Sequence, residues 1–226
     1  MRNALLVDDN IIVTTDNSGG IGEKEQDIVS ATDRLTAYYS ARVTLLEQWA
    51  ARAEPFTTLI HNFSGHASWA KYVQGVEDLF QEAGVPCPQI SGSTETNMEL
   101  VQSAIAVTMI GKREERVSMP DGQWFTYGTP LVGEEVLANA DEVASIRRIR
   151  QALDHQIINR VWPVGSQGIL YEVRRVMNDD DLKVESELDI RKTAGPSTVV
   201  LVELPLEKRV AAEKLFGNLL REIDFE

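Results

Sequence analysis

ALLVDDNIIVTTDNSGGIGEKEQD, residues 4–27, is the stretch on which the fold class turns. Ala4 to Val7 and Ile11 to Thr15 are short apolar, β-branched runs, and Asp8, Asp9 and Asn10 between them supply turn chemistry. The spacing predicts a tight hairpin. Residues 16–27 are rich in glycine and charge and show no periodicity, which predicts a loop. Strands and helices alternate further on, but an opening hairpin argues for α+β rather than a doubly wound parallel sheet.

Working outward, apolar residues at three- and four-residue spacing predict a helix from about Asp33 to Arg52, stopped by Pro55. Phe56 to Phe63 reads as a strand. Ala67 to Ala83 reads as a second amphipathic helix, closed by Gly84 and Pro86. Short strands are expected at Gln89 to Ser91, Ser103 to Ile110 and Trp124 to Val132. Residues 133–155 read as charged and helical, and PVGSQG (163–168) opens a short helix running to about Met177. Thr198 to Leu204 reads as a strand and Leu206 to Ile223 as a last amphipathic helix. The expected division is a first domain over 1–132 and a short α+β part over 133–226.

Composition narrows the function classes. The 226 residues carry 22 Lys plus Arg against 35 Asp plus Glu, a formal net charge of −13. Such a chain repels a phosphate backbone and an anionic bilayer, so the expectation is no nucleic-acid and no membrane partner. A nucleotide remains compatible, because a few carboxylates can hold the Mg²⁺ that carries its phosphates. Cys87 is the only cysteine, which excludes an intrachain disulfide and fits a reducing compartment. No apolar run approaches the roughly 20 residues of a membrane span, and MRNALLVDDN does not read as a signal peptide. The expected location is cytoplasmic.

Three groups of residues are candidates for chemistry, each with a plainer reading beside it. Asp16 follows an apolar run, and Gly19, Gly20 and Gly22 let backbone N–H groups approach a phosphate while Lys24 adds a point charge. The spacing is neither a Walker A loop nor GxGxxG, and the same residues also read as a long surface turn. Glu47 is the sole acid between Asp33 and Glu54 in an apolar helix. It needs a partner, either a metal or an arginine such as Arg42 or Arg52. ISGSTETN (90–97) offers Gly92, Ser93 and Thr94 for phosphate and Glu95 for Mg²⁺, or a Ser/Thr turn that satisfies its own backbone. His61, His66 and His155 lack metal-ligand spacing, although Asn62 beside His61 is placed to contact a substrate.

Taken in order, these stretches resemble one family pattern. Aminoimidazole ribonucleotide synthetases carry TDGVGTK, then a helix ending in GAEP, then GGETAE. The matching stretches here are TDNSGGIGEK (15–24), LLEQWAARAEP (45–55) and SGSTETN (91–97). Selenophosphate synthetases and thiamine-phosphate kinases share the arrangement. DNSGGIGEKEQD, HNFSG and ISGSTETN resemble most closely the bacterial α-ribazole kinases of cobalamin salvage, over about residues 4–112.

The resemblance implies a PurM-like α+β domain whose sheet is covered by helices on one face, followed by a truncated second α+β part. It also implies ATP and Mg²⁺ as cofactors. Asp16, Glu47 and Glu95 would be metal ligands. Lys24 with Gly19, Gly20, Gly22, Gly92, Ser93 and Thr94 would hold phosphate, and Asp16, Lys24 and Asn62 would serve catalysis. The implied reaction is α-ribazole plus ATP giving α-ribazole 5′-phosphate plus ADP. Alternatives are another kinase or synthetase of the superfamily, or a non-catalytic nucleotide-binding subunit. Here Glu47 stands where the family usually has Asp, and Ser93 replaces the acid of GGE. The resemblance further implies a homodimer paired through the N-terminal sheet. Independently, apolar runs without strict inward and outward alternation suggest burial on both faces.

Overall fold

The computed structural model describes residues 2–114 and 122–225. The chain divides into two compact units, Met1–Glu115 and Arg116–Glu226.

In the first unit, β1 (Leu5–Asp8) and β2 (Ile11–Gly19) form the expected hairpin. Two short strands follow, β3 (Ile21–Gly22) and β4 (Val29–Ser30). Then come α1 (Asp33–Ala50), β5 (Ala53–Asn62), α2 (Trp69–Ala83), β6 (Gln89–Thr94) and β7 (Ala104–Arg113). The main sheet runs β1-β2-β7-β5-β6, antiparallel except for the β5–β6 pair. That pair is parallel because its connection is α2, the crossover a parallel pair needs.

Local chemistry sets the ends of the helices. The Thr32 hydroxyl accepts from Leu35 N–H at the start of α1. Gly84, in the left-handed region at φ +73°, ends α2. The two helices pack against each other, and α1 lies on β2, β7 and β5.

The sheet's two faces are read off β7. Ile105, Val107 and Met109 are buried under the helices, while Ala104, Ala106, Thr108 and Ile110 are half-buried on the other face. Register places Val13 beside Ile110, and Thr15 beside Thr108, on that second face. Leu5 and Val7 of β1 and Phe56 of β5 are exposed. One-sided helical cover is therefore the architecture, as expected. The alternation along β7 is strict, which corrects the expectation that this run lacks it and is buried on both faces: its second face is half-buried.

One polar side chain fills the seam between α1 and the sheet. Gln48 donates to Thr14 Oγ1 at 3.0 Å and to the carbonyls of Met109 and Ile12 at 3.0 and 3.3 Å. It fits because Gly111 has no Cβ; one placed there would stand 2.1 Å from Gln48 Oε1.

The second unit contains β8 (Gln123–Gly128), α3 (Glu134–Ala138), α4 (Ile146–Asp154), β9 (Arg160–Pro163), α5 (Gly168–Met177), β10 (Val184–Glu185), β11 (Val199–Leu204), α6 (Arg209–Phe216), β12 (Leu220–Glu222) and β13 (Asp224–Phe225). Its main sheet, β12-β8-β11-β9, is antiparallel. β8 lies within the expected first domain, 1–132, but pairs with β11 and β12, whose sequences come much later. The expected last helix is also shorter. Gly217, at φ +69°, ends α6, and the chain re-enters the sheet as β12. A core of Trp124, Trp162, Ile169, Val173, Val199 and Leu201 holds this unit together. Among the described residues, no helix is long and apolar enough to cross a membrane.

Candidate active site

Asp16 lies inside β2 rather than after it. Asp16, Asn17 and Ser18 pair in register with Val107, Ala106 and Ile105. The β7 ladder thus carries turn-prone residues as strand, a tertiary override of local propensity. Alternation puts Asp16 on the face of Ile12 and Thr14, towards α1. It is half-buried.

Burial pushes the Asp16 carboxyl up to about 7, and the negative charge of Glu47 adds to the rise. The Asn17 N–H and the positive charge of Arg2 oppose it. Asp16 and Glu47, 31 positions apart in the chain, therefore lie within electrostatic reach of each other.

Glu47 is almost fully buried on α1. It accepts from the backbone N–H of Asn3 at 3.2 Å and is ion-paired to Arg2. Arg2, from the segment before β1, is thus a partner of Glu47 that the sequence does not suggest beside Arg42 and Arg52. Arg2, Glu47 and Asp16 form one charge group. Arg2 escaped the sequence reading because nothing local links it to position 47.

The glycine loop is closed on itself by Asp27. This carboxylate accepts from Ser103 N–H and Ser103 Oγ, each at 2.7 Å, and from Lys24 N–H at 2.8 Å. Burial acts to raise its pKa, but these donations win and hold it below the usual range. Gly22 makes the closure possible, since a Cβ there would stand 2.3 Å from Ser103 Oγ. Gly20, at φ +70°, donates its N–H to Ser103 O at 2.8 Å. That amide is committed to the fold and not offered to a phosphate. Gly19 is a strand residue paired with Ala104 and has open space around it. Lys24 Nζ donates to the carbonyl of Leu100. Asp27 and Ser103, like Arg2, are not among the residues expected from the sequence. The signal was an acid three positions after Lys24 in a glycine-rich turn.

At the far edge of the sheet the polar residues serve the backbone. Asn62, expected to face a substrate, is buried and donates to Gly65 O at 2.8 Å and Thr94 Oγ1 at 3.2 Å. It also accepts from Ser64 N–H at 2.8 Å. Its role in this structure is to fix the HNFSG turn to the end of β6. Gly92 permits the close β5–β6 approach, because a Cβ there would stand 1.9 Å from Ile60 O. Ser93 is exposed and paired in register with His61, and Thr94 pairs with Asn62.

Glu95 accepts from Asn97 N–H at 2.6 Å and Met98 N–H at 3.1 Å, and these donations hold its carboxyl below the usual range. It follows β6, three strands across from β2. The expected trio Asp16, Glu47 and Glu95 is therefore not assembled within one chain. Among the described residues, no three His, Cys, Asp or Glu side chains gather as a metal site. The physical reason is topology: β7 and β5 lie between the two edges.

No family model matches the chain, and no curated protein matches it. Solved structures do. Thiamine monophosphate kinase from Aquifex aeolicus superposes with a TM-score of 0.66 at 13% identity, covering 100% of this chain and 89% of that one. The same kinase complexed with AMPPCP and TMP gives 0.62 at 12%, covering 97% and 82%. Hydrogenase maturation protein HypE in complex with ATP gives 0.60 at 13%, covering 93% and 75%. The chain has the PurM-like fold. At these identities the likeness is one of architecture.

Proposed function

We propose that this protein is an ATP- and Mg²⁺-dependent small-molecule kinase that phosphorylates the 5′-hydroxyl of α-ribazole. The observation that carries the reading is the Asp16–Glu47 pair: two carboxylates held within electrostatic reach on a rigid strand and helix, at a cost in charge. Support comes from the sequence resemblance and from the fold shared with proteins whose structures contain ATP or AMPPCP.

The donor set fits Mg²⁺ delivered with a nucleotide. Such an ion takes one or two carboxylates plus phosphate oxygens and needs no all-protein cage. Asp16 and Glu47 would hold it, and Glu95 is not required. When bound, the metal supplies neutralisation of the charge on the transferring phosphoryl group. Arg2 neutralises Glu47. Lys24, on an exposed loop, turns from the Leu100 carbonyl to a phosphate. Gly19, with open space around it, lies where polar substrate groups can reach it.

The kinase assembles as a C₂ homodimer through the helix-free face of the main sheet. Val13, Thr15, Thr108 and Ile110 form a half-apolar surface there that a second copy would cover. Sedimentation at micromolar concentration reads this directly: the proposal expects a species of twice 25.2 kDa.

Purified full-length chain, ATP, Mg²⁺ and α-ribazole test the activity. Formation of α-ribazole 5′-phosphate and ADP in equal amounts is expected. ATP turnover with another alcohol but not α-ribazole would replace the acceptor. Absence of any nucleotide turnover would favour a non-catalytic nucleotide-binding subunit.

A further inference from the structure

The second unit carries a cavity that the proposed kinase chemistry does not use. It measures about 660 Å³, and its lining includes Leu170, Tyr171, Arg174, Arg175, Asp180 and Arg191. Small-molecule sites commonly occupy roughly 300–1,000 Å³. Three guanidinium groups face one carboxylate here, in a chain whose acids exceed its bases by 13.

Packing fixes the frame. Gly168, at φ +80°, begins α5 with the 190–192 segment lying directly against it, since a Cβ there would stand 2.8 Å from Ile190 O. Leu170 N–H donates to Ile190 O at 2.9 Å. Arg191 N–H donates to Asp189 Oδ1 at 3.0 Å. Arg191 is thereby held beside α5, where Tyr171 and Arg174 stand on successive turns. Arg174 is half-buried, and its Nε donates to Leu182 O at 3.0 Å, which orients the guanidinium plane. Among the described residues, neither Arg174 nor Arg191 is ion-paired to a carboxylate. In so acidic a protein, two arginines on one cavity without a carboxylate partner are an arrangement for an outside anion.

The helix dipole explains part of this arrangement. Arg174 and Arg175 lie in the last turn of α5, where positive charge is favourable. Arg191 is on no helix, so that effect does not place it. Tyr171 is exposed at the cavity and presents a ring surface. We infer that this cavity is a binding site for a small phosphate monoester carrying an aromatic group, held by Arg174 and Arg191 with its ring against Tyr171. Guanidinium is suited to this task because its planar fork matches phosphate oxygens two at a time.

Titration of ¹⁵N-labelled full-length chain with phenyl phosphate, followed by two-dimensional NMR, tests it. Saturable shifts confined to residues 167–178 and 189–192 are expected. Arg191→Gln and Arg174→Gln should each weaken binding about tenfold or more, the loss of one charge-assisted contact. Arg191 is exposed, so Arg191→Gln should keep the wild-type spectrum outside the site and serve as the control for folding. Tyr171→Ala should weaken phenyl phosphate while leaving inorganic phosphate unchanged. Shifts that never saturate, or binding indifferent to both arginine variants, would overturn the site. Equal affinity for inorganic phosphate and phenyl phosphate would overturn the aromatic part of the ligand.

Discussion

At the β1–β2 edge of the first sheet, Asp16 sits half-buried with its carboxyl pushed up towards neutrality, beside a buried Glu47 that Arg2 neutralises. At the β6 edge, Asn62, Thr94 and Glu95 are satisfied by nearby backbone and by one another. Both edges read in sequence as polar residues around a strand. The first holds a carboxyl where its charge is unfavourable, whereas the second uses polar atoms to finish a turn. An ionisable group held on rigid elements where its charge is unfavourable is a candidate for chemistry. Satisfied turn chemistry is the mark of a structural one.

Substitutions separate the edges. Asp16→Asn should lower Mg²⁺-dependent turnover by about 100-fold or more while the folded circular dichroism spectrum persists. Turnover near wild type would move the chemistry away from this edge. Asn62→Ala should act the opposite way. It leaves Ser64 N–H without its partner and Gly65 O with Ser68 N–H alone, and should cost about 1–3 kcal/mol of stability by urea unfolding, with turnover per folded molecule nearly retained. A turnover loss larger than the stability loss explains would restore Asn62 to the site. Gly22→Ala drives a methyl into Ser103 Oγ and should cost about 1–3 kcal/mol, read as a lower melting temperature.

A further expected effect is one of pH. A carboxyl raised to about 7 when folded, against an ordinary value of 3.8, stays protonated in the folded chain over a range where the unfolded chain has lost its proton. Its contribution to stability is fully present below 3.8 and is lost as pH rises through about 7. The melting temperature of wild type relative to Asp16→Asn should therefore fall between pH 4.5 and 7.5 and level off above. A constant difference would show that Asp16 has no raised pKa.

Much of the fold was legible. The hairpin, both helices of the first unit and the αL stop at Gly84 follow from periodicity and turn chemistry. What was not legible depended on partners distant in sequence. Residues 16–19 become strand only because β7 supplies a ladder, and β8 joins the second unit only because β11 and β12 arrive later. The site divides the same way. Glu47 announced itself as an isolated acid in an apolar helix, but Arg2 gave no local signal. Glu95 matched a motif, yet two intervening strands keep it from Asp16, and sequence order does not encode strand order.

Calorimetric titration of ATP into the full-length chain, with and without Mg²⁺, tests the central claim most directly when wild type and Asp16→Asn are compared. The account predicts that wild type binds ATP tightly only with Mg²⁺, and that Asp16→Asn loses most of the Mg²⁺-dependent gain. Equal ATP affinity in both proteins, with or without Mg²⁺, would contradict it.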